Sequence, residues 1–259
     1  MRIAVTGAGG FIGKELVCYL SNQGHEVLRL QRESITGPMD RFFDMRSPHS
    51  IPDLAGIDAL IHTAYIRHEK NLCPDSAKAN ICTTLALEKA CHSAGVKLIF
   101  LSCMSAHADS KSANGRHKYE LEQKLDISRD LILRLGLVIG RGGITEQIKS
   151  QILKSNFIPI ADRHLAIQVI DIQDLCRIVD KGLSSNAVGI YNVAKETPYK
   201  LVNIYHTIAE KLNRKPIFIP AGTLVPDRMG IKDVKIFDSK SDMDRLGVSI
   251  TEPGKNSTT

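Results

Sequence analysis

The segment that most constrains this chain is Val5-Thr6-Gly7-Ala8-Gly9-Gly10-Phe11-Ile12-Gly13-Lys14, a glycine-rich turn set directly after an apolar extended run and directly before a helical pattern. Such a turn places backbone N–H groups and a helix N-terminus at the carboxyl end of a strand. There the uncompensated amides and the helix dipole can hold an anion, above all a pyrophosphate. Gly7 permits the tight turn, Gly10 lets phosphates approach the backbone, and Gly13 lets the helix pack on the strand. Gly9, Phe11 and Ile12 complete the segment facing that anion.

The rest of the chain repeats the same alternation. Apolar β-type runs at 3–6, 26–30, 59–62, 98–101 and 131–135 are separated by stretches at 14–23, 75–94 and 116–127 that carry apolar residues at helical spacing. This pattern predicts the α/β class, a doubly wound parallel sheet of the Rossmann type with right-handed crossovers. Beyond Gly140 the pattern loosens. Residues 141–143 read as a loop, 146–154 as a helix, 157–160 and 165–170 as short extended pieces, 173–183 as a helix, 189–193 as a strand and 201–212 as a helix. The tail at 252–259 is polar and reads as frayed. We therefore expect a dinucleotide-binding domain over 1–142, with 165–195 returning to it, and a small lobe made of 143–164 and 196–259.

Composition narrows the function classes. With 259 residues, 43% hydrophobic and 24% charged, the chain has the composition of a folded globular protein. No run nears the roughly 18 apolar residues of a membrane helix, and the N-terminus enters a strand pattern at once, so a soluble cytoplasmic protein without membrane attachment is expected. Lys and Arg number 34 against 28 Asp and Glu, a net charge of +6 that favours anionic partners. The cations are scattered, aromatics are 5% and tryptophan is absent, which argues against nucleic acid and for a small phosphorylated molecule. Cys18, Cys73, Cys82, Cys91, Cys103 and Cys176 form no C-x-x-C pair, so neither disulfides nor a metal site is expected, in keeping with a reducing compartment.

Several segments in order resemble the NAD-dependent epimerase/dehydratase family of the extended short-chain dehydrogenase/reductase superfamily. Thr6-Gly7-Ala8-Gly9-Gly10-Phe11-Ile12-Gly13 has its G-x-x-G-x-x-G spacing. Asp44 in Phe43-Asp44-Met45-Arg46 resembles the adenine-contacting Asp after the third strand. Asp58-Ala59-Leu60-Ile61-His62-Thr63-Ala64 is similar to the fourth-strand segment that ends along the cofactor, and Asn80 matches the Asn opening the next helix. The runs 133–140, 171–175 and 189–193 resemble "LRPxxVYG", "VxDxA" and "GxYNV", so the likeness extends from about residue 1 to about residue 195. It implies cofactor contacts from Gly7, Gly9, Gly10, Phe11, Ile12, Gly13, Asp44, Met45, His62, Thr63, Ala64, Asn80, Ser102 and Lys118.

The end of the second strand bears on the choice of nicotinamide cofactor. An acidic residue there binds free ribose hydroxyls, whereas an Arg pairs with a 2′-phosphate. The segment Val27-Leu28-Arg29-Leu30-Gln31-Arg32 offers no carboxylate, and Arg32 is placed for phosphate, so NADP is expected over NAD. In the alternative, Arg32 is solvated and Glu33 takes the ribose.

The resemblance also implies a catalytic set, and this chain departs from it. Asn114-Gly115-Arg116-His117-Lys118-Tyr119-Glu120-Leu121-Glu122 resembles "YGRSKLxxE", which puts Lys118 on the catalytic Lys and Asn114 where the acid/base Tyr belongs. An amide has no proton of useful pKa. Tyr119 is a further catalytic candidate, but it immediately follows Lys118 and so should point away from the side that Lys118 faces. After the fifth strand, Ser102-Cys103-Met104-Ser105 leaves Ser105 as the substrate-orienting hydroxyl, with Met104 at the commonest position and Ser102 bonding backbone near the cofactor. Tyr65, His107 and His117 are further acid/base candidates, Tyr65 foremost. Basic groups at Arg134, Arg141 and Arg163, with the loop 140–143 and Lys154, are candidates for substrate phosphate. The chemistry implied is that of an oxidoreductase, epimerase or dehydratase acting on a carbinol or ketone carbon of a nucleotide-linked sugar, with a homodimer left open. The alternative is a weakly catalytic NADP-binding sensor or assembly subunit on the same fold.

Overall fold

A computed structural model of the chain describes residues 1–33, 35–66, 75–160, 162–220 and 233–250. The first half runs β1 (Arg2–Thr6), α1 (Phe11–Asn22), β2 (Glu26–Gln31), β3 (Asp40–Phe42), β4 (Ala59–His62), α2 (Ser76–Ala94), β5 (Lys97–Cys103), α3 (Ala113–Lys124) and β6 (Leu131–Leu135). It continues through β7 (Leu137–Ile139), α4 (Gly143–Lys154), β8 (Phe157–Ile160), β9 (Ala166–Ile167), β10 (Val169–Asp171), α5 (Ile172–Ser184) and β11 (Gly189–Val193). Last come β12 (Tyr199–Lys200), α6 (Leu201–Lys211), β13 (Ile217–Pro220) and α7 (Ser239–Leu246). Cys73 and the tail at 252–259 lie outside the described residues.

Seven strands pair in the order β11-β6-β5-β4-β1-β2-β3, every neighbour parallel. Strand residues alternate between two cores, as a sheet covered on both faces requires. Ile3, Val5, Leu131, Leu133 and Leu135 pack with α1, α5 and α7, whereas Ala4, Leu60, Leu98, Phe100 and Ile132 pack with α2 and α3. The chain reverses its direction of sheet growth between β1 and β4, so a crevice opens at their carboxyl ends. This is the doubly wound sheet expected from the alternation.

A third core defines the lobe. Ile144, Ile148 and Ile152 of α4 meet Ile158, Ile160, Ile167, Leu201, Tyr205 and Phe218, and β8 pairs with β13 and β9 with β12. One boundary differs from the sequence expectation. The segment around α7 was expected in the lobe, but Met243 and Leu246 are buried in the sheet core beside α5 and β11. Asp242 caps the junction by accepting hydrogen bonds from the backbone and side-chain amides of Asn192 at 2.8 and 2.9 Å.

Arg134 was expected to meet substrate phosphate and Ser102 to bond backbone, and the structure corrects both. Glu122 on α3 is buried and accepts from Ser102 Oγ at 2.5 Å and from Arg134 Nε and Nη2 at 3.0 and 2.6 Å. The guanidinium also lies over the Phe237 ring at 5.6 Å. This fork clamps α3 to β5 and β6, which fixes the helix that carries Asn114 and Lys118. Truncating one partner of a buried pair strands the other charge. Glu122→Ala should therefore lower stability by about 3–5 kcal/mol. Urea unfolding reads this directly, and an unchanged midpoint would show that the clamp is not structural.

Candidate active site

The crevice floor is built by Thr6. Its hydroxyl oxygen accepts from the backbone N–H groups of Thr63 and Ala64 at 3.1 and 3.2 Å, which occupies both lone pairs. Its proton therefore goes to His62 Nδ1, 2.7 Å away, and His62 Nε2–H donates to Thr84 Oγ1 at 2.9 Å. Thr63 Oγ1 returns a bond to the Thr6 carbonyl at 2.6 Å. His62 was expected against the cofactor. Its ring is instead fully enclosed and tied at both nitrogens, a strut joining β1, β4 and α2.

On this floor sits the glycine turn. Gly7 has φ +65°, and a Cβ there would meet Thr63 Oγ1 at 2.8 Å. A Cβ on Gly13 would lie 2.2 Å from the Gly7 carbonyl oxygen, so only glycine lets α1 start so close to the turn. Gly10 N-caps α1 without any side-chain cap, and the first turn carries no acidic residue. The N-terminal amides of α1 are thus left without an anionic or side-chain partner, which suits the pyrophosphate of a dinucleotide. Phe11 points away from that position: Cβ atoms on Gly140, Gly142 and Gly143 would fall 3.1, 2.5 and 2.6 Å from its ring, so the loop 140–143 wraps this side chain. Of the substrate-side cations, Arg163 donates to the Phe218 carbonyl and staples the lobe, while Arg141 and Lys154 remain exposed.

At the rim, Asp40 organises the turn after β2. It accepts from Arg29 Nε at 2.6 Å and from the backbone N–H groups of Thr36 and Gly37 at 3.0 and 2.8 Å. Arg29 is thereby committed, Arg32 stays exposed, and Gln31 Oε1 would stand 3.6 Å from a Cβ on Gly9. Asp44 is partly exposed beyond β3, whereas the Met45 side chain is buried in the core and its carbonyl accepts from Thr83 Oγ1 at 2.7 Å. Asn80 is another correction. It is fully buried and spends its amide on Ile66, accepting from the backbone N–H and donating to the carbonyl, both at 2.9 Å. It shapes the loop after β4 rather than reaching outward.

The predicted acid/base candidates gather between β5 and α3. Ser112 caps α3 by accepting from Gly115 N–H at 3.0 Å, which starts the helix three residues before the sequence pattern indicated. The Lys118 ammonium is buried, donates to the Leu101 carbonyl at 2.5 Å, and rests 4.4 Å from the Phe100 ring and 5.2 Å from the Tyr65 ring. Burial pulls its pKa down to about 8 against the opposing pull of Cys103 and Glu122. Asn114 Nδ2 donates to Cys103 Sγ at 3.5 Å, and Ser105 Oγ lies 3.0 Å from the same sulfur. Burial raises the Cys103 pKa, so it is a thiol here. Met104 is buried in packing. The phenol ring over the ammonium is that of Tyr65. The Tyr65 hydroxyl lies 3.0 Å from His117 Nδ1, a pairing between residues 52 apart that no local spacing signals.

Sheet order and glycine turn give the chain a doubly wound α/β fold, with a lysine-bearing helix packed beside β5. Residues 3–127 match the model of the NAD dependent epimerase/dehydratase family. A Mycobacterium tuberculosis uncharacterised protein is 25% identical over 88% of the chain, and the chain spans about a quarter (25%) of that relative's length. The UDP-2-acetamido-2,6-beta-L-arabino-hexul-4-ose reductase of Pseudomonas aeruginosa is 30% identical over 73% of the chain and 52% of its own length. In fold, the chain is similar to the crystal structure of Thermotoga maritima UDP-glucose 4-epimerase with UDP-glucose, with TM-score 0.77 and 19% identity over 96% of this chain and 94% of that one. Among the described residues no helix is long and apolar enough to cross a membrane.

The His62 strut has a pH signature. Burial first, and the Lys118 charge second, pull its pKa from 6.5 to about 3. An unfolded His takes up a proton below pH 6.5 while the folded one stays neutral, so stability present above pH 6.5 is lost as pH falls toward 3. The expected slope is about 1.4 kcal/mol per pH unit within that window. In His62→Gln this component of the slope should vanish; a variant whose stability falls as steeply as the wild type's between pH 6.5 and 4.5 would assign the loss to other groups.

Proposed function

We propose that the chain binds NADP along the carboxyl ends of β1, β2 and β4 and is an oxidoreductase or epimerase acting on a carbinol or ketone carbon of a nucleotide-linked sugar. The observation that carries this reading is the buried Lys118 ammonium beneath the Tyr65 ring, in a chain whose glycine turn leaves α1 without a side-chain cap. When bound, the cofactor supplies reversible hydride transfer at its nicotinamide. The amides after Gly7 hold its pyrophosphate, Arg32 pairs with the ribose phosphate, and Asp44 meets the adenine. Lys118 holds the nicotinamide ribose and keeps a positive charge beside the reacting oxygen. Ser105 orients that oxygen, and Thr63 and Ala64 line the cofactor with their backbone. The relatives support the substrate class: a reductase of a UDP-linked hexulose and an epimerase crystallised with UDP-glucose both carry sugars on a nucleoside diphosphate. Arg141 at the mouth of the lobe suits such a diphosphate. A homodimer is part of the proposal, as is a cytoplasmic location.

A second reading is favoured by Asn114. Its amide donates to a thiol where the family has a phenol, so a protein that binds NADP and senses its redox state, with little turnover, uses the same residues.

Titrating the purified protein with NADPH and NADH should show tighter binding of NADPH, and Arg32→Glu should reverse the order. Lys118→Met should weaken cofactor binding at least about tenfold, the worth of one charge-assisted hydrogen bond. Tighter binding of NADH by the wild type would remove the NADP assignment. Binding with no turnover of any UDP- or dTDP-linked sugar would place the sensor reading first.

A further inference from the structure

The family's acid/base phenol is missing at Asn114, yet a phenol stands over Lys118. Asn114, His117 and Lys118 occupy positions i, i+3 and i+4 of α3 and so share one helix face. Tyr65 reaches the same face from the loop after β4. Its hydroxyl is 3.0 Å from His117 Nδ1, the two rings are 6.4 Å apart, and its ring centroid is 5.2 Å from the Lys118 ammonium. The residues on either side of it are held in place. Both backbone groups of the next residue, Ile66, are bonded to the buried Asn80 amide, and the preceding Ala64 N–H is bonded to Thr6.

Resting on the oxidoreductase reading above, we propose that Tyr65 is the group that exchanges a proton with the substrate oxygen, replacing the phenol that Asn114 lacks, and that His117 is its positioning residue. In the reducing direction the Tyr65 O–H bond breaks as its proton bonds to the carbonyl oxygen, and the carbonyl carbon takes a hydride from a reduced nicotinamide. The phenolate then regains a proton through His117, which takes one from water; oxidation runs the same steps in reverse. Lys118 lies close enough to stabilise the phenolate. The titratable or charged groups facing Tyr65 are His117, Lys118 and Arg116 from α3 and Cys103 from β5. Burial raises the phenol's pKa, so it is held protonated, the state a proton donor needs.

Tyr65→Phe removes only the hydroxyl and keeps the ring that covers Lys118. It should reduce kcat by about 10²–10⁴ with cofactor affinity unchanged. Asn114→Tyr in the Tyr65→Phe background should restore turnover, because it returns a phenol to the same helix face. His117→Gln should lower kcat with little change in KM and alter the alkaline limb of the pH profile. Without any substrate, the His117 Nδ1 signal in the ¹⁵N NMR spectrum should move on Tyr65→Phe. A Tyr65→Phe variant as active as the wild type, or an unmoved His117 signal, would overturn the inference while leaving the oxidoreductase reading in place. A wild-type protein that binds cofactor but turns over nothing would overturn both together.

Discussion

The arrangement of the crevice depends on the Thr6 hydroxyl. It satisfies two backbone amides that leave β4 and at the same time fixes the tautomer of a fully buried histidine, so that the carboxyl ends of β1 and β4 stay in contact. Gly7 can turn above Thr63 only because this contact is close and because glycine carries no Cβ. Every later feature inherits its position from there. The turn directs the first amides of α1 into the crevice, and the loop after β4 brings Tyr65 across to α3. A buried imidazole with both nitrogens bonded is rigid, and its neutrality keeps a second positive charge away from Lys118.

The opposite wall depends on another buried contact. Glu122, Ser102 and Arg134 lock α3 against β5 and β6 one helical turn beyond Lys118. Because a bidentate guanidinium holds the Glu122 carboxylate, it steadies the helix without a direct hydrogen bond to the ammonium. Lys118 is left with a carbonyl and two aromatic faces. That environment lowers its pKa by burial while keeping the charge close to a phenol, the electrostatic setting that proton exchange at a carbinol oxygen requires.

The fold was largely legible because its signals are local. Period-two apolar runs, helical spacing between them and the 5–14 turn each act within a dozen residues. The short β3, β7 and β13 were not read, since three or four residues carry too little periodicity, and α7 was missed because only Met243 and Leu246 mark its buried side. The site was half legible. The family resemblance pointed to Lys118 and to Asn114 in place of a Tyr, but a resemblance assigns a residue to a role without saying what else it touches. His62, Asn80, Ser102 and Arg134 each sit at a familiar position, and each spends its polar atoms on internal partners 12 to 56 residues away in sequence. The Tyr65–His117 pair spans 52 residues for the same reason. Long-range hydrogen bonds are set by topology, which periodicity does not encode.

The central claim is that the cofactor lies between the glycine turn and Lys118, with Tyr65 supplying the phenol. A crystal structure with NADP and an unreactive nucleotide-sugar analogue tests it most directly. The account predicts the pyrophosphate on the amides that follow Gly7, the Lys118 ammonium on the nicotinamide ribose, and the Tyr65 hydroxyl within hydrogen-bond reach, about 2.6–3.2 Å, of the sugar oxygen at the reacting carbon. A sugar oxygen bonded elsewhere, with Tyr65 still turned to His117 and out of reach, would contradict it.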